Sequence, residues 1–467
     1  MATSGQASFE SSLPVKGDDA TKAAIFANSE TTSDRASTDE DHDFGNIAYT
    51  DEEERQLVRK LDWALLPGLT FLYLLSFLDR ANVGNAKLYG MLEDLNITDG
   101  SVYNTSLALY FVGYCLFEVP ANAILKKTNP KIWLPILTIA FGVVATLQAI
   151  VTNEAGFLAA RFFLGVAEAV GKIPHFGSLP NWAAIFAIEG MFTVLVGVSA
   201  FWWVPGYPHD ATFLKPREKQ ILLARLAKDS DSADREPFTW SGVVEAFKDV
   251  HVIGYAFLFH GFAFGLYSLS LFVPTVIAQL GYKAAHAQLL TIPLYAAAFI
   301  CIGIVAWLSN KTQKRALWIV VSGVVAIIGY IVLLTTDTAE SRYGGLVIAA
   351  VGIYAATSVL LAWPSMNCSP QTKRATASAI QIFIGDFGAV AGVLIYRPSF
   401  NANFFRKAHI IAIGYTVFGT LVAAWLWWSM ARLNRKRALK LVEVEKGFDR
   451  DADKKLGDRA TTYVYQL

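Results

Sequence analysis

Apolar residues in this chain fall into long unbroken blocks, not into the alternating or one-sided patterns of soluble strands and helices. A block of about 20 apolar residues, coiled as a helix, spans the roughly 30 Å hydrocarbon core of a bilayer. Such blocks cover residues 63–79, 101–125, 132–152, 157–173, 182–204, 252–279, 288–308, 316–336, 343–364, 377–397 and 409–431. They predict an all-α integral membrane protein with about 11 spans. The weakest block is 157–173, which carries Arg161, Glu168 and Lys172. The polar stretches divide the chain into a tail over 1–55, a first helical half over 56–204, a linker over 205–251, a second half over 252–431 and a tail over 432–467. The first tail is rich in Ser, Thr, Asp and Glu and has too little apolar surface to fold. It holds no apolar signal-peptide core, so the first span is expected to act as the insertion signal.

Composition removes the soluble alternative. Hydrophobic residues make up 54% of the 467 residues and charged residues only 17%, against roughly 25% charged in soluble domains. The net charge of +1 says nothing about partners; membrane lipid is the expected surrounding partner, and no nucleic acid is expected. Cys115, Cys301 and Cys368 are odd in number and dispersed, which argues against a disulfide framework or a metal cluster. They read as small buried hydrophobes.

Charge distribution sets orientation. Arg55, Arg59 and Lys60 precede the first span and place the N-terminus in the cytosol. The loop 80–100 has Arg80 and Lys87 but also Glu93, Asp94 and Asp99, and fits the outside. It also carries the glycosylation-type triplet Asn96-Ile97-Thr98. The linker and the tail that opens Arg432-Leu433-Asn434-Arg435-Lys436-Arg437 are basic and read as cytosolic. Five crossings before the linker would put it outside. Either 157–173 does not cross or one span is missing from the first half.

Two six-span halves joined by a long cytosolic loop is the layout of a major facilitator transporter. Span one closes with Leu75-Ser76-Phe77-Leu78-Asp79-Arg80-Ala81-Asn82-Val83-Gly84-Asn85-Ala86. Span two holds Phe117-Glu118-Val119-Pro120-Ala121-Asn122, and span four Arg161-Phe162-Phe163-Leu164-Gly165-Val166-Ala167-Glu168-Ala169. With Ala306-Trp307-Leu308-Ser309, Lys373-Arg374-Ala375-Thr376-Ala377 and Gly385-Asp386-Phe387-Gly388, the chain closely resembles the fungal anion:cation symporters of the major facilitator superfamily. That group includes permeases for allantoate, nicotinate and pantothenate. The resemblance runs from about 60 to 435 and implies the major facilitator fold, two six-helix halves.

The chain departs from the family after Ala169. It continues Val170-Gly171-Lys172-Ile173-Pro174-His175-Phe176-Gly177 and enters what resembles the sixth span near Trp182, so one first-half helix and its flanks are missing. A smaller departure lies in the loop Ser309-Asn310-Lys311-Thr312-Gln313-Lys314-Arg315, where Asn310 stands in place of the usual Asp. Loss of that acid is expected to weaken an ionic latch.

A charge in hydrocarbon costs at least about 2.5–3.5 kcal/mol, so each needs an account. Asp79 and Arg80 are an interfacial stop for span one, or, as the resemblance implies, a proton-coupling carboxylate and its electrostatic partner. Arg161 and Glu168 are seven residues apart and project from one helix face. They are a structural pair, or an anion attractor and a proton site whose pKa is raised by burial and lowered by the nearby Arg. Glu118 pairs across the bundle or lines the cavity. In the second half, His260 is expected to be hydrogen-bonded packing, Gln381 a candidate cavity residue, and Asn367 loop. Asp386 would repel an anion unless protonated or paired. Gly142, Gly165, Gly303, Gly329 and Gly352 are expected at close helix contacts.

No phosphate-binding Gly-x-x-x-x-Gly-Lys-Ser/Thr loop, nucleophile elbow or His-Glu-x-x-His pair occurs. The expectation is therefore a secondary transporter and not an enzyme, with no cofactor and no metal. It would carry a small organic anion with a proton by alternating access, as a monomer in the plasma membrane. The alternative is a transport-inactive shortened relative, a mis-spliced gene product, or a nutrient sensor.

Overall fold

A computed structural model describes residues 49–88, 90–127, 130–169, 181–206, 211–229, 239–282, 284–396, 402–443 and 457–467, all in one compact unit. The expected disordered tail falls almost wholly outside these residues. Within the described helices, the side chains of Asp79, Arg80, Glu118, Gly165 and Glu168 are also outside the description.

The architecture is all-helical among the described residues. The first half holds α1 (Asp51–Leu88), the short α2 (Met91–Asp94), α3 (Gly100–Lys127), α4 (Pro130–Leu147), α5 (Glu154–Ala169) and α6 (Asn181–Trp203). The linker forms α7 (Pro216–Asp229) and α8 (Trp240–Lys248). The second half holds α9 (Val250–Gln279), α10 (Ala284–Thr312), α11 (Arg315–Thr335), α12 (Ala339–Leu360), α13 (Trp363–Asn367), α14 (Gln371–Ile395) and α15 (Ala402–Glu443). Nine of these are long and apolar enough to cross a membrane, and α3 and α5 complete the expected spans. Hydrocarbon offers no hydrogen bonds, so each crossing must satisfy its backbone within its own helix. Pro67, Pro135, Pro274 and Pro293 are carried inside such helices.

Two sequence boundaries move. The expected loop over 80–100 begins later, because α1 runs on to Leu88. Charge ends the apolar run there but does not end the helix. Asn367 belongs to α13 and is buried, not loop.

Helix contacts rest on small residues that let backbones approach. A Cβ at Gly190 of α6 would stand 2.5 Å from the Thr146 nitrogen of α4. One at Gly329 of α11 would stand 2.2 Å from the Ala349 nitrogen of α12. Gly142 and Gly352 are equally tight. Gly303 is different: nothing lies within 4 Å of its Cβ position, which corrects its expected role as a packing glycine.

Ion pairs define one face of the bundle. Lys60 of α1 meets Glu218 of α7 at 2.6 Å, and Arg225 meets Glu54 at 3.3 Å. This end is called the linker face and the opposite end the far face. On the linker face, Arg315 donates from Nη2 to Asn310 Oδ1 at 3.1 Å. A hydrogen bond to a neutral acceptor thus stands where the ionic pair would be.

Helix directions locate the missing crossing. Gly142 and Thr146 of α4 lie opposite Gly190 of α6, while Thr138 and Ile139 lie opposite Gly197, so α4 and α6 are antiparallel. α5 starts four residues after the 3-10 turn Gln148–Ile150 that ends α4, and also runs back toward the linker face. Thus α5 and α6 are consecutive yet parallel. A helical return needs about 20 residues, and only eleven separate Ala169 from Asn181.

The second half shows what is absent from the first. There α9 is flanked by α14 and α15, and 89% of its most apolar stretch is buried. Its counterpart α1 packs chiefly on α6, and only 6% of its most apolar stretch is buried. Across the halves, α14 packs on α3, whereas α10 has no first-half helix in the matching place among its main contacts. Leu289, Ile292, Phe299, Ile300, Ile304 and Trp307 of α10 are left exposed. Among the described residues, α1 and α10 are, of the nine long apolar helices, the two with the least cover, 6% and 17% of their most apolar stretches.

Gly329→Ala is expected to destabilise the protein by about 1–3 kcal/mol through overpacking against Ala349. Gly303→Ala should be neutral or stabilising by up to about 1 kcal/mol. Thermal unfolding of both variants in detergent checks the contrast.

Candidate substrate path between the two halves

The halves meet along α3. Its Tyr103 packs edge-on against Phe272 of α9 with ring centroids 6.1 Å apart. Phe111 meets Tyr267 at 4.7 Å. Asn104 donates from Nδ2 to the Val393 carbonyl of α14, and Cys115 donates to Asp386 Oδ2 at 3.7 Å. At the end of α1, a Cβ on Gly84 would lie 2.5 Å from the Leu271 carbonyl oxygen. These contacts begin at the far-face ends of α1, α3, α9 and α14. There the two halves are in direct contact.

Arg161 sits on α5, 1% exposed. Its guanidinium carbon is 5.6 Å from the Phe157 ring centroid and 5.5 Å from that of Phe186 on α6. Aromatic faces attract the cation without neutralising it. The guanidinium also acts electrostatically on Tyr103. Tyr103 is fully buried and its hydroxyl has no hydrogen-bond partner. Lys87 stands over the same ring, with Nζ 4.3 Å from the centroid. Arg161, Tyr103 and Lys87 thus link α5, α3 and the end of α1 into one electropositive group.

Lys87 lies just past the span of α1, which ends at Gly84. Burial lowers its pKa to about 8, and the Glu93 carboxylate opposes the drop. It was placed in a loop by sequence, and only the continuation of α1 brings it onto Tyr103.

The remaining candidates separate. Gln381 is buried on α14 and donates from Nε2 to the Leu360 carbonyl at 3.0 Å, tying α14 to the end of α12. His260 holds the Ile384 carbonyl through Nδ1 at 3.1 Å, in keeping with a packing role. Asp386 faces Cys115 across the half-to-half contact. Asp79, Arg80, Glu118 and Glu168 lie on α1, α3 and α5, with side chains outside the described residues.

One carboxylate escaped the sequence reading. Glu189 lies inside the apolar run of α6, with a buried Oε2 that has no hydrogen-bond partner. It is one turn from Phe192, whose ring meets Phe71 of α1 at 6.2 Å. A carboxyl there is cheaper protonated than ionised.

Two bundles of long apolar helices, in contact along α3 and holding buried cations between helices, fit an integral membrane transporter of the two-half type. The chain belongs to the Major Facilitator Superfamily, which it matches over residues 69–174 and 173–393. It is a transporter and not an enzyme. The MFS-type transporter cnsO of Penicillium expansum is 30% identical over 499 residues, spanning 94% of this chain and 96% of that protein. The high-affinity nicotinic acid transporter of Saccharomyces cerevisiae is 26% identical over 455 residues, spanning 88% of this chain and 85% of that protein. The crystal structure of a D-xylose-proton symporter shares the fold at a TM-score of 0.52 and 14% identity, over 78% of this chain and 97% of that one.

The alignments also show that the relatives hold residues this chain lacks. Coverage of 94% of 467 residues is about 439, so an alignment of 499 positions leaves about 60 in the Penicillium relative with no residue here. For the yeast relative, 88% is about 411 of 455 positions, leaving about 44. The two superfamily matches meet at residues 173–174, between α5 and α6.

Competitive labelling of Lys87 with a lysine-selective reagent, read by mass spectrometry, should reach half its maximum near pH 8, against about 10.4 for an exposed lysine. Glu93→Gln removes the opposing charge and should lower the midpoint further. A midpoint above 10 would remove Lys87 from the buried group.

Proposed function

We propose that this protein is a proton-coupled symporter for a small organic anion, working by alternating access between its two halves. Arg161 carries the reading: a guanidinium 1% exposed inside a membrane bundle. Its positive charge, set beside the rings of Phe157 and Phe186 and acting on buried Tyr103, attracts a carboxylate, the group a small organic anion would bring. The yeast relative's name, a nicotinic acid transporter, supports an anion of this class. The xylose-proton symporter's name supports proton coupling on this fold.

In this reading Arg161 receives the anion, and Asp79 and Glu168 exchange the proton, with Arg80 as the partner of Asp79. Glu189 is a further proton site. Glu118 and Gln381 border the path. The linker face is cytosolic, which puts both termini inside and the far face outside, and the membrane is the plasma membrane. The monomer is the working unit, with a tail over 1–55, halves over 56–204 and 252–431, a linker over 205–251 and a tail over 432–467.

The parallel run of α5 and α6 favours a second reading for the chain as it stands, that of a transport-inactive shortened relative. The two readings are compared by one experiment. Proteoliposomes carrying the 467-residue chain, and a form with a return helix inserted between Ala169 and Asn181, are given labelled nicotinate and an inward proton gradient. Nicotinamide is the uncharged control. The restored form is expected to take up nicotinate at least tenfold faster than the shorter chain, and Arg161→Gln should abolish that uptake. Uptake untouched by Asp79→Asn and Glu168→Gln together sinks the coupling assignment. Equal uptake of nicotinamide sinks the anion assignment.

A further inference from the structure

The last eleven residues, Gly457–Leu467, are read by the second half as a peptide ligand would be. Asp458 is 1% exposed and takes Lys373 Nζ at 2.6 and 2.8 Å on its two oxygens. Lys373, also 1% exposed, reaches Asp249 Oδ2 at 2.6 Å, and Asp249 caps α9 through the His251 amide. Beyond this ionic anchor, side-chain amides grip the backbone in pairs. Asn434 of α15 donates to the Tyr465 carbonyl at 2.8 Å and accepts from the Tyr465 amide at 2.9 Å. Asn367 of α13 does the same for Gln466 at 2.9 and 2.8 Å, and Trp363 Nε1 adds a bond to the Gln466 carbonyl at 2.8 Å. Arg437 donates to the Asp458 and Tyr463 carbonyls and lies 4.7 Å over the Tyr465 ring. The Arg315 amide holds the Leu467 carbonyl.

Exposure alternates along the segment: Tyr465 is 6% exposed and Val464 69%. Backbone recognition by amide pairs, one charged pocket and one aromatic pocket are the parts of a groove that binds an extended peptide. We propose that the linker face of the second half is such a groove, that its ligand is this chain's own segment 457–467, and that docking ties the ends of α9, α11, α13, α14 and α15 into one unit. This stands independently of the transported solute.

Cys368 is the natural reporter. It is 2% exposed. Its neighbour Ser369 donates an amide to Asp458, and burial together with the Asp458 charge pushes its thiol up to about 12. Full-length protein is exposed to a water-soluble maleimide, and labelling of Cys368 is followed by mass spectrometry. Gln466→Pro removes the N–H that Asn367 accepts and leaves every helix and Asp458 untouched. It should speed labelling at least tenfold. Asp458→Asn should act in the same direction, and Val464→Ala should leave the wild-type rate. A synthetic peptide of residues 457–467, added to Gln466→Pro, should restore slow labelling, and the same peptide carrying Asp458→Asn should not. Wild-type labelling rates in Gln466→Pro, or no protection by the peptide, would overturn the groove.

Discussion

A chain threaded through a bilayer as helices changes face at every crossing, so consecutive spanning helices must run in opposite directions. The rule follows from hydrocarbon's inability to satisfy a free backbone. In the second half α11 and α12 obey it, with Gly329 opposite Ala349 and Gly352 opposite Ala326; among the described residues of the first half, α5 and α6 do not. The consequence reaches beyond one connection. α1 should be a central helix, as α9 is, yet it is left with α6 as its main neighbour. α10 should be covered across the halves, as α3 is covered by α14, yet its large apolar side chains stand exposed. Exposure of Phe299 or Trp307 alone would be ordinary for a lipid-facing helix. Exposure of α1, with the matching helix of the other half 89% buried, is not.

The charges sort by depth. At the linker face, Lys373 is shared by two carboxylates, and the bonds to Asp249 and Asp458 are all within 2.8 Å. Asp249 gains more from His251 and Lys373 than it loses to burial, and its pKa falls. Asp458 loses more to burial, and its pKa rises. One ammonium cannot fully compensate two buried anions, and the carboxylate carried by the segment 457–467 bears the deficit. Deeper in, Arg161 has the rings of Phe157 and Phe186 beside its guanidinium. Buried ionic groups of the first kind hold helices in register, and the second adds the attraction of aromatic faces for a cation.

The fold was largely legible because the apolar runs are long and the bilayer fixes their length. The absent crossing was legible too, since basic loops and the count of spans conflicted. What sequence hid has specific physical causes. Glu189 disappeared inside an apolar run whose mean character it does not change. Lys87 was hidden by the opposite effect, a charged stretch that reads as loop while the helix continues. Gly303 looked like Gly329, because nothing in a glycine's local sequence says whether a neighbouring backbone lies 2.2 Å from its Cβ position or nowhere near. The segment 457–467 is short and polar, and its partners Asn367, Lys373 and Asn434 stand 99, 85 and 31 residues away in the pairs they form.

Lys87 shows how the contact between the halves sets a charge. Its ammonium lies against the Tyr103 ring, and burial lowers its pKa to about 8. The same region brings Tyr103 against Phe272 and Gly84 against Leu271. Any loosening that exposed Lys87 to water would return its pKa toward about 10.4. Between those values exposure takes up a proton and burial releases one. Well below pH 8 the side chain is charged in both states, and the linkage vanishes.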